Sequence, residues 1–287
     1  MPTIGLGTWH AKAGEVEYAV EIALKHGYRH IDTAAAYGNE EQVGKGIKMS
    51  DVPREDIFLT TKLANIDHSN VEAALFSSFQ KLDTPYLDLW LMHWPAPMTQ
   101  DLKADKGRDW LETWKDMEKV YEKYPEKVKA IGVSNFQVEY LERLLKEAKI
   151  TPAVNQIELH PSCPQHDVVK FCNENGIVLI AYSPLGSTGS PLLTNEVVRK
   201  IAGNRNIPPA NVLISLQACR PNTAVLTKSI TKSRIASNFD LVDLTDEEMN
   251  ELLKIDETQH FRVCTPEWTG WGDLGFPDRK CATASHL

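Results

Sequence analysis

Asp32, Tyr37, Lys62 and His93 are four side chains that would deliver a proton to a substrate oxygen if folding brought them together. A buried lysine is expensive unless paired, and Asp32 is the obvious partner for Lys62. A cation held beside Tyr37 would favour tyrosinate. It would lower the hydroxyl from its ordinary pKa of about 10 and make it a usable donor near neutral pH. His93 would hydrogen-bond the same oxygen and orient it. Taken one at a time these residues have bland readings. An Asp–Lys pair at strand ends is often structural, and a histidine in LMHWP more often satisfies a core.

A second set suits phosphate. SPLGSTGS (183–190) offers backbone N–H groups and hydroxyls for a pyrophosphate. KSITKSR (228–234) opens a helix and carries Lys228, Ser229 and Arg234, suited to a further phosphate monoester. Each is a weak signal alone, because Gly/Ser loops are usually only loops. No GxGxxG is present, since Gly5-x-Gly7 is followed by His10 at the third position. A Rossmann cofactor site is therefore not indicated, and no Walker A pattern appears either.

The elements that must position these residues are short, β-rich apolar runs at 3–7, 30–33, 57–62, 87–93, 130–134, 153–159, 178–183 and 224–228. Runs such as IFLTTKL and IVLIAYS fit strands buried on both faces. Helical patterns lie between them at 15–26, 70–82, 110–124, 138–148, 166–175, 194–202, 208–218 and 246–255. Gly27 and Gly176 stand where C-caps belong, Ser69-Asn70 is an N-cap signal, and Thr245-x-x-Glu248 is a capping box. Eight βα alternations predict an α/β fold of the (β/α)8 TIM-barrel type, with a parallel eight-stranded barrel in a single domain over 1–287. In such a barrel the strand C-terminal ends converge on one face. Those ends carry Asp32, Lys62, His93, Ser134-Asn135, Gln156, Tyr182-Ser183 and Lys228-Ser229. Strand ends are commonly polar, but that explains poorly an ionisable or amide group at seven successive ends.

Two stretches are irregular, 95–109 and the tail 264–287, and substrate specificity is expected there. A tail holding Trp268, Trp271 and Phe276 is expected to pack on something. A barrel takes about 250 residues, so 287 fit one domain. A net charge of −8 argues against nucleic acid. No run of about 18 apolar residues predicts a membrane span. The five cysteines, Cys163, Cys172, Cys219, Cys264 and Cys281, are scattered with no CxxC, which suggests neither zinc nor a redox dithiol. Dispersed histidines suggest no metal site. Reduced thiols and a cytoplasmic location are expected.

The segments GLGTW (5–9), HIDTAAAYGNEEQVGKGI (30–47), TTKL (60–63), DLWLMHWP (88–95), IGVSNF (131–136), NQIELHP (155–161), IAYSPLG (180–186) and LTKSITKSRIASN (226–238) resemble the aldo-keto reductase family. They run in the family's order over nearly the whole chain. KVYEKYPEKVKAIGVSNF and the tail look most like fungal aldose and aldehyde reductases. The resemblance implies reduction of aldehydes or ketones, small hydroxy-aldehydes or sugars among them, by direct hydride transfer from NADPH bound without a Rossmann fold. Tyr37 would protonate the carbonyl oxygen, Lys62 and Asp32 would tune it, and His93 would position it. Ser134, Asn135 and Gln156 match contacts to the nicotinamide amide, and Tyr182 matches the ring it stacks on. Ser183, Leu185 and Ser187 match pyrophosphate contacts. Lys228, Ser229 and Arg234 match the 2′-phosphate site, and Asn238 an adenine contact. Thr8 and Trp9 are also expected against the cofactor. Trp9, Trp94 and Trp268 are expected to join His93 around the substrate. Ala64 stands where related aldose reductases carry tryptophan, and Ala36 is small, which implies a wider pocket there. Ser237 replaces a common adenine-supporting Glu, while Lys228 and Arg234 still favour NADPH over NADH. The expected partner is a small carbonyl compound, with the protein a monomer or weak dimer. The same residues would serve an NADP+-dependent polyol or secondary-alcohol dehydrogenase. A non-catalytic cofactor-sensing subunit is the alternative of a different class.

Overall fold

The computed structural model describes residues 1–278. Eight strands pair in chain order: β1 (Ile4–Gly7), β2 (His30–Asp32), β3 (Phe58–Leu63), β4 (Leu89–Met92), β5 (Ile131–Ser134), β6 (Val154–Glu158), β7 (Val178–Tyr182) and β8 (Thr223–Thr227). All are parallel, and β8 closes onto β1. Every expected strand is present, trimmed or shifted at its ends. Their residues are buried almost throughout because side chains fill the barrel and helices cover it. Leu89, Leu91, Val154, Ile180, Ala224 and Leu226 form one inner cluster. Gly132 lets neighbouring strands close around it, since a Cβ there would lie 2.7 Å from the Val154 carbonyl oxygen and 2.8 Å from Leu91.

Ten helices follow or flank the strands: α1 (Glu15–His26), α2 (Glu40–Met49), α3 (Val71–Leu82), α4 (Trp110–Lys123), α5 (Val138–Glu147), α6 (His166–Glu174), α7 (Glu196–Arg205), α8 (Pro209–Ala218), α9 (Lys232–Phe239) and α10 (Asp246–Leu253) among the described residues. Gly27 ends α1 in the left-handed region at φ 117°. Both hydrogen bonds of the Thr245–Glu248 capping box are present at α10. Asn70 stands at the start of α3, but its side chain makes no capping bond. α7 starts later than expected, because Asn195 is the cap and its side chain accepts from Val197 N at 2.9 Å.

Periodicity missed α2 and α9, although 228–234 was read as opening a helix where α9 stands; α2 had no signal. Its sequence, EEQVGKGIKM, holds Gly44 and Gly46, which both weaken helix propensity. Packing explains them. A Cβ on Gly46 would lie 2.6 Å from the Glu17 carbonyl oxygen of α1, and one on Gly44 would strike the Leu82 carbonyl at the end of α3. The glycines let α2 wedge between its neighbours, and α2 follows directly on the turn that carries Tyr37.

The tail packs, as its tryptophans suggested. Trp271 Nε1 donates to the Pro97 carbonyl at 2.7 Å, and Phe276 stacks on Trp94 with ring centres 5.9 Å apart. The last nine positions of the expected 264–287 segment, 279–287, lie outside the described residues. Among the described residues no helix is long and apolar enough to cross a membrane.

Candidate active site

Parallel pairing in register brings the ends of β2, β3 and β4 side by side. Asp32 is the last residue of β2, Lys62 lies near the end of β3, and His93 follows β4. Tyr37 sits in a short 3-10 turn, Ala35–Tyr37, just after β2. Lys62 is fully buried. Its Nζ donates to Asp32 Oδ1 at 2.5 Å, to the Thr33 carbonyl at 2.8 Å and to the Tyr37 hydroxyl oxygen at 3.4 Å. The other Asp32 oxygen accepts from Gln156 Nε2 at 2.7 Å. The Tyr37 and His93 rings meet edge to face, 5.6 Å between centres. The four residues singled out by type are thus one cluster.

The electrostatics differ from the expectation in one respect. The Tyr37 hydroxyl is held well above its ordinary pKa, not below it. Burial is the main cause, and the Asp32 carboxylate adds to it. The Lys62 cation does not reverse this, because its charge is matched by Asp32 at closer range. Burial also lowers Lys62, against the opposing pull of Asp32. His93 is pushed well below the usual imidazole value by burial, with the Lys62 charge acting in the same direction. At neutral pH the site therefore holds a protonated tyrosine and a neutral histidine. Since Lys62 donates into the tyrosine oxygen, the tyrosine's own O–H is left to point at a substrate.

Beside this group, Ser134 Oγ donates to the Gln156 carbonyl at 2.8 Å. Asn135, at φ 64°, donates through Nδ2 to the His93 carbonyl at 3.0 Å and to Ser134 Oγ at 3.1 Å. The Tyr182 hydroxyl donates to Asn135 Oδ1 at 2.7 Å. Ser134, Asn135, Gln156 and Tyr182 therefore adjoin the Asp32–Lys62–Tyr37–His93 cluster. Thr8 is buried, and its hydroxyl donates to the Asp32 main-chain carbonyl at 3.1 Å.

The 183–190 turn has Ser183, Gly186, Ser187 and Gly189 all at positive φ. Leu185 anchors it by packing against two core clusters, and Ser187 is exposed. After β8, Lys228 and Arg234 are exposed at the start of α9. Among the described residues neither has a carboxylate partner. Arg234 donates to Thr231 Oγ1 at 2.7 Å, and Ser229 Oγ accepts from Thr231 N at 3.1 Å. Asn238 is buried on α9. Two free cations beside a helix N-terminus form a donor set that fits a phosphate.

The aromatic residues divide. Trp9 and Trp268 expose 42% and 55% of their surface, whereas Trp94 exposes 6%. Trp94 lies behind the tail, stacked on Phe276 and edge to face with Trp268 at 5.9 Å. Trp9 lies 6.5 Å from the Tyr37 ring. Ala36 is exposed and Ala64 buried.

Sequence reasoning passed over two residues that hold the site. Asn39 donates to the Thr8 and Ala11 carbonyls at 2.9 and 3.3 Å and accepts from Thr33 Oγ1 at 3.2 Å, tying the Trp9 turn to the Tyr37 turn. Glu158 is a buried acid on the same strand as Gln156. An acid in the otherwise apolar or amide run VNQIE was the available signal.

A buried Asp–Lys–Tyr group beside a histidine at the C-terminal mouth of a (β/α)8 barrel defines a class of carbonyl-handling oxidoreductases. Residues 3–257 match the Aldo/keto reductase family, and the chain belongs to that family. It is 45% identical to a D-galacturonate reductase of Hypocrea jecorina, over 98% of this chain and 96% of the relative. It is 43% identical to a glycerol 2-dehydrogenase (NADP(+)) of Saccharomyces cerevisiae, over 94% of this chain and 92% of the relative. A Bombyx mori aldo-keto reductase solved in complex with NADP superposes with a TM-score of 0.88 at 35% identity, covering 96% of this chain and 95% of that one.

Proposed function

We propose that the protein reduces aldehydes and ketones to alcohols with NADPH, small hydroxy-aldehydes and sugars among them, and that Tyr37 is the proton donor. The observation that carries this reading is the Lys62 ammonium, shared between Asp32 Oδ1 at 2.5 Å and the Tyr37 oxygen at 3.4 Å. NADPH supplies the hydride when bound. The chain's own residues do the rest. Tyr37 gives its proton to the oxygen that gains negative charge as the carbonyl is reduced. Such an oxygen is far more basic than a phenolate, so a tyrosine held protonated is correctly charged for the task. Lys62 then donates to the new phenolate and stabilises it. Neutral His93 hydrogen-bonds the substrate oxygen and orients it, and is too weakly basic to be the acid.

For the cofactor, Ser134, Asn135 and Gln156 stand ready to bond the nicotinamide amide, with Tyr182 as its stacking platform. Thr8 and Trp9 line the same side. Ser183, Leu185 and Ser187 would hold the pyrophosphate, Lys228, Ser229 and Arg234 the 2′-phosphate, and Asn238 the adenine. The free cations at the start of α9 support NADPH over NADH. Trp9 and Trp268 offer open aromatic faces to the substrate beside His93, with Trp94 as a wall behind the tail. We also read the chain as one barrel domain with 264–287 as its specificity segment, and the enzyme as cytoplasmic and monomeric or weakly dimeric. Turnover of a panel of aldehydes and sugars, followed as loss of NADPH absorbance, tests the reading. Reduction with NADPH and slower reduction with NADH is the expected result. Failure on every carbonyl with both cofactors would overturn it.

A further inference from the structure

Glu158 ends β6, two positions after Gln156, and is buried. The proton chemistry does not use it. A buried carboxylate needs donors, and four groups meet Glu158, the Cys264 thiol among them. Its Oε1 accepts from Val263 N at 2.7 Å and lies 2.8 Å from His160 Nε2, and its Oε2 accepts from Cys264 N at 2.7 Å. Two of these donors are consecutive main-chain amides more than 100 residues further along the chain. They are the first residues of the segment that covers the barrel mouth.

That segment carries the open face of Trp268, and it lays Phe276 against Trp94 and Trp271 against the Pro97 carbonyl. Its entry is pinned as well. Phe261 stacks on His160 with centres 4.8 Å apart, and its N–H donates to the Ser162 carbonyl at 3.1 Å. The Cys264 thiol reaches the Tyr182 hydroxyl, which in turn donates to Asn135 at 2.7 Å, and Asn135 holds the His93 carbonyl. One strand therefore braces both halves of the site. Gln156 holds Asp32 on the catalytic side, and Glu158 holds the root of the segment on the substrate side.

We propose that Glu158 is a positioning residue for substrate: its carboxylate latches the 263–278 segment onto the barrel mouth and thereby sets which carbonyl compounds the site discriminates. Two adjacent N–H groups aimed at one buried carboxylate fix both the position and the direction of the chain there. Trp271 and the packing on Trp94 hold the segment further along; at its root the Glu158 carboxylate acts beside Phe261 on His160, the Cys264 thiol on Tyr182, and Arg262, which donates to Asp278 at 2.5 Å. The discrimination half of the proposal rests on the reductase reading above. The latch half does not.

Glu158→Gln keeps the shape of the side chain but turns one acceptor into a donor facing donors. Amide hydrogen exchange over 261–278 and steady-state kinetics with a hexose-sized and a glycolaldehyde-sized substrate read the two halves separately. Exchange of the segment should quicken by about tenfold or more, the loss expected for a hydrogen bond to a charged group. KM for the larger substrate should rise by about tenfold on the same basis. KM for the small one, kcat and NADPH affinity should change little, and Glu158→Asp should recover part of the loss. Unchanged exchange overturns the latch. Faster exchange with equal KM changes for both substrates overturns its role in discrimination. Should the Gln variant fail to fold, Val263→Pro removes one donor while leaving Glu158 in place, and the same split is expected. An enzyme with no carbonyl turnover at all would sink the reductase reading, and the exchange result would still decide the latch.

Discussion

Lys62→Met removes the cation paired with Asp32 and leaves the rest of the site in place. In the wild type the pair is buried on both sides, with side-chain exposures of 0% and 3%. After the change, Gln156 Nε2 is the one side-chain donor to the Asp32 carboxylate among the described residues. Breaking a buried pair while leaving its other half charged costs about 3–5 kcal/mol. At about 2–4 °C per kcal/mol for a chain of this size, Tm should fall by about 6–20 °C. Activity should fall for a separate reason. Tyr37 is already held high by burial and by Asp32, and without Lys62 its phenolate loses the cation at 3.4 Å. A loss of about 10²–10⁴ in kcat is expected for a disabled general acid. The double variant Asp32→Asn/Lys62→Met separates the two effects. Removing the stranded charge should restore most of the stability and none of the activity. Calorimetry and NADPH oxidation read the two outcomes. A double variant no more stable than Lys62→Met would refute the stranded-charge argument. A Lys62→Met enzyme within tenfold of wild-type kcat would refute the role given to the lysine.

Arg234→Ala should weaken NADPH by about 10- to 100-fold, as for loss of a hydrogen bond to a charged group, and leave NADH nearly unchanged; equal losses in titrations with both cofactors would remove Arg234 from the 2′-phosphate site. Gly46→Ala puts a Cβ 2.6 Å from the Glu17 carbonyl oxygen, so α1 and α2 must part, at a cost of about 1–3 kcal/mol read as a lower denaturation midpoint. An unchanged midpoint would show that the approach is not tight. Burial holds His30 down to about 4 and His68 to about 3, from 6.5. Both folded values lie below the unfolded ones, so the unfolded chain binds protons first as pH falls. Stability is then lost below about pH 6.5 and continues to fall to about pH 4 for His30 and about pH 3 for His68. For His30 the loss amounts to about 3 kcal/mol. His68→Gln should flatten the fall of Tm with acidification, and an unchanged slope would show that His68 carries no part of it.

The strands were legible because each is a compact apolar run, and the catalytic group because each of its strands ends in a residue with chemistry. α2 was not legible, since Gly44 and Gly46 serve neighbouring helices and erase the helix's own pattern. Glu158 was invisible for another reason. Its partners are main-chain amides far along the chain, and only folding brings them to it. The sign of the Tyr37 shift was misjudged because residue types reveal a nearby lysine but not that Asp32 matches its charge more closely. The packing of Phe276 and Trp268 on Trp94 was unreadable by periodicity, because the tail that carries them is irregular.

The central claim is that the Tyr37 hydroxyl is the proton donor, with the Lys62 ammonium on its oxygen at 3.4 Å. Tyr37→Phe removes that hydroxyl and little else. Its NADPH affinity and its aldehyde turnover, measured on the same preparation, test the claim most directly. Unchanged cofactor binding with kcat lower by about 10²–10⁴ is the predicted result. Normal cofactor binding with most of the turnover retained would contradict it.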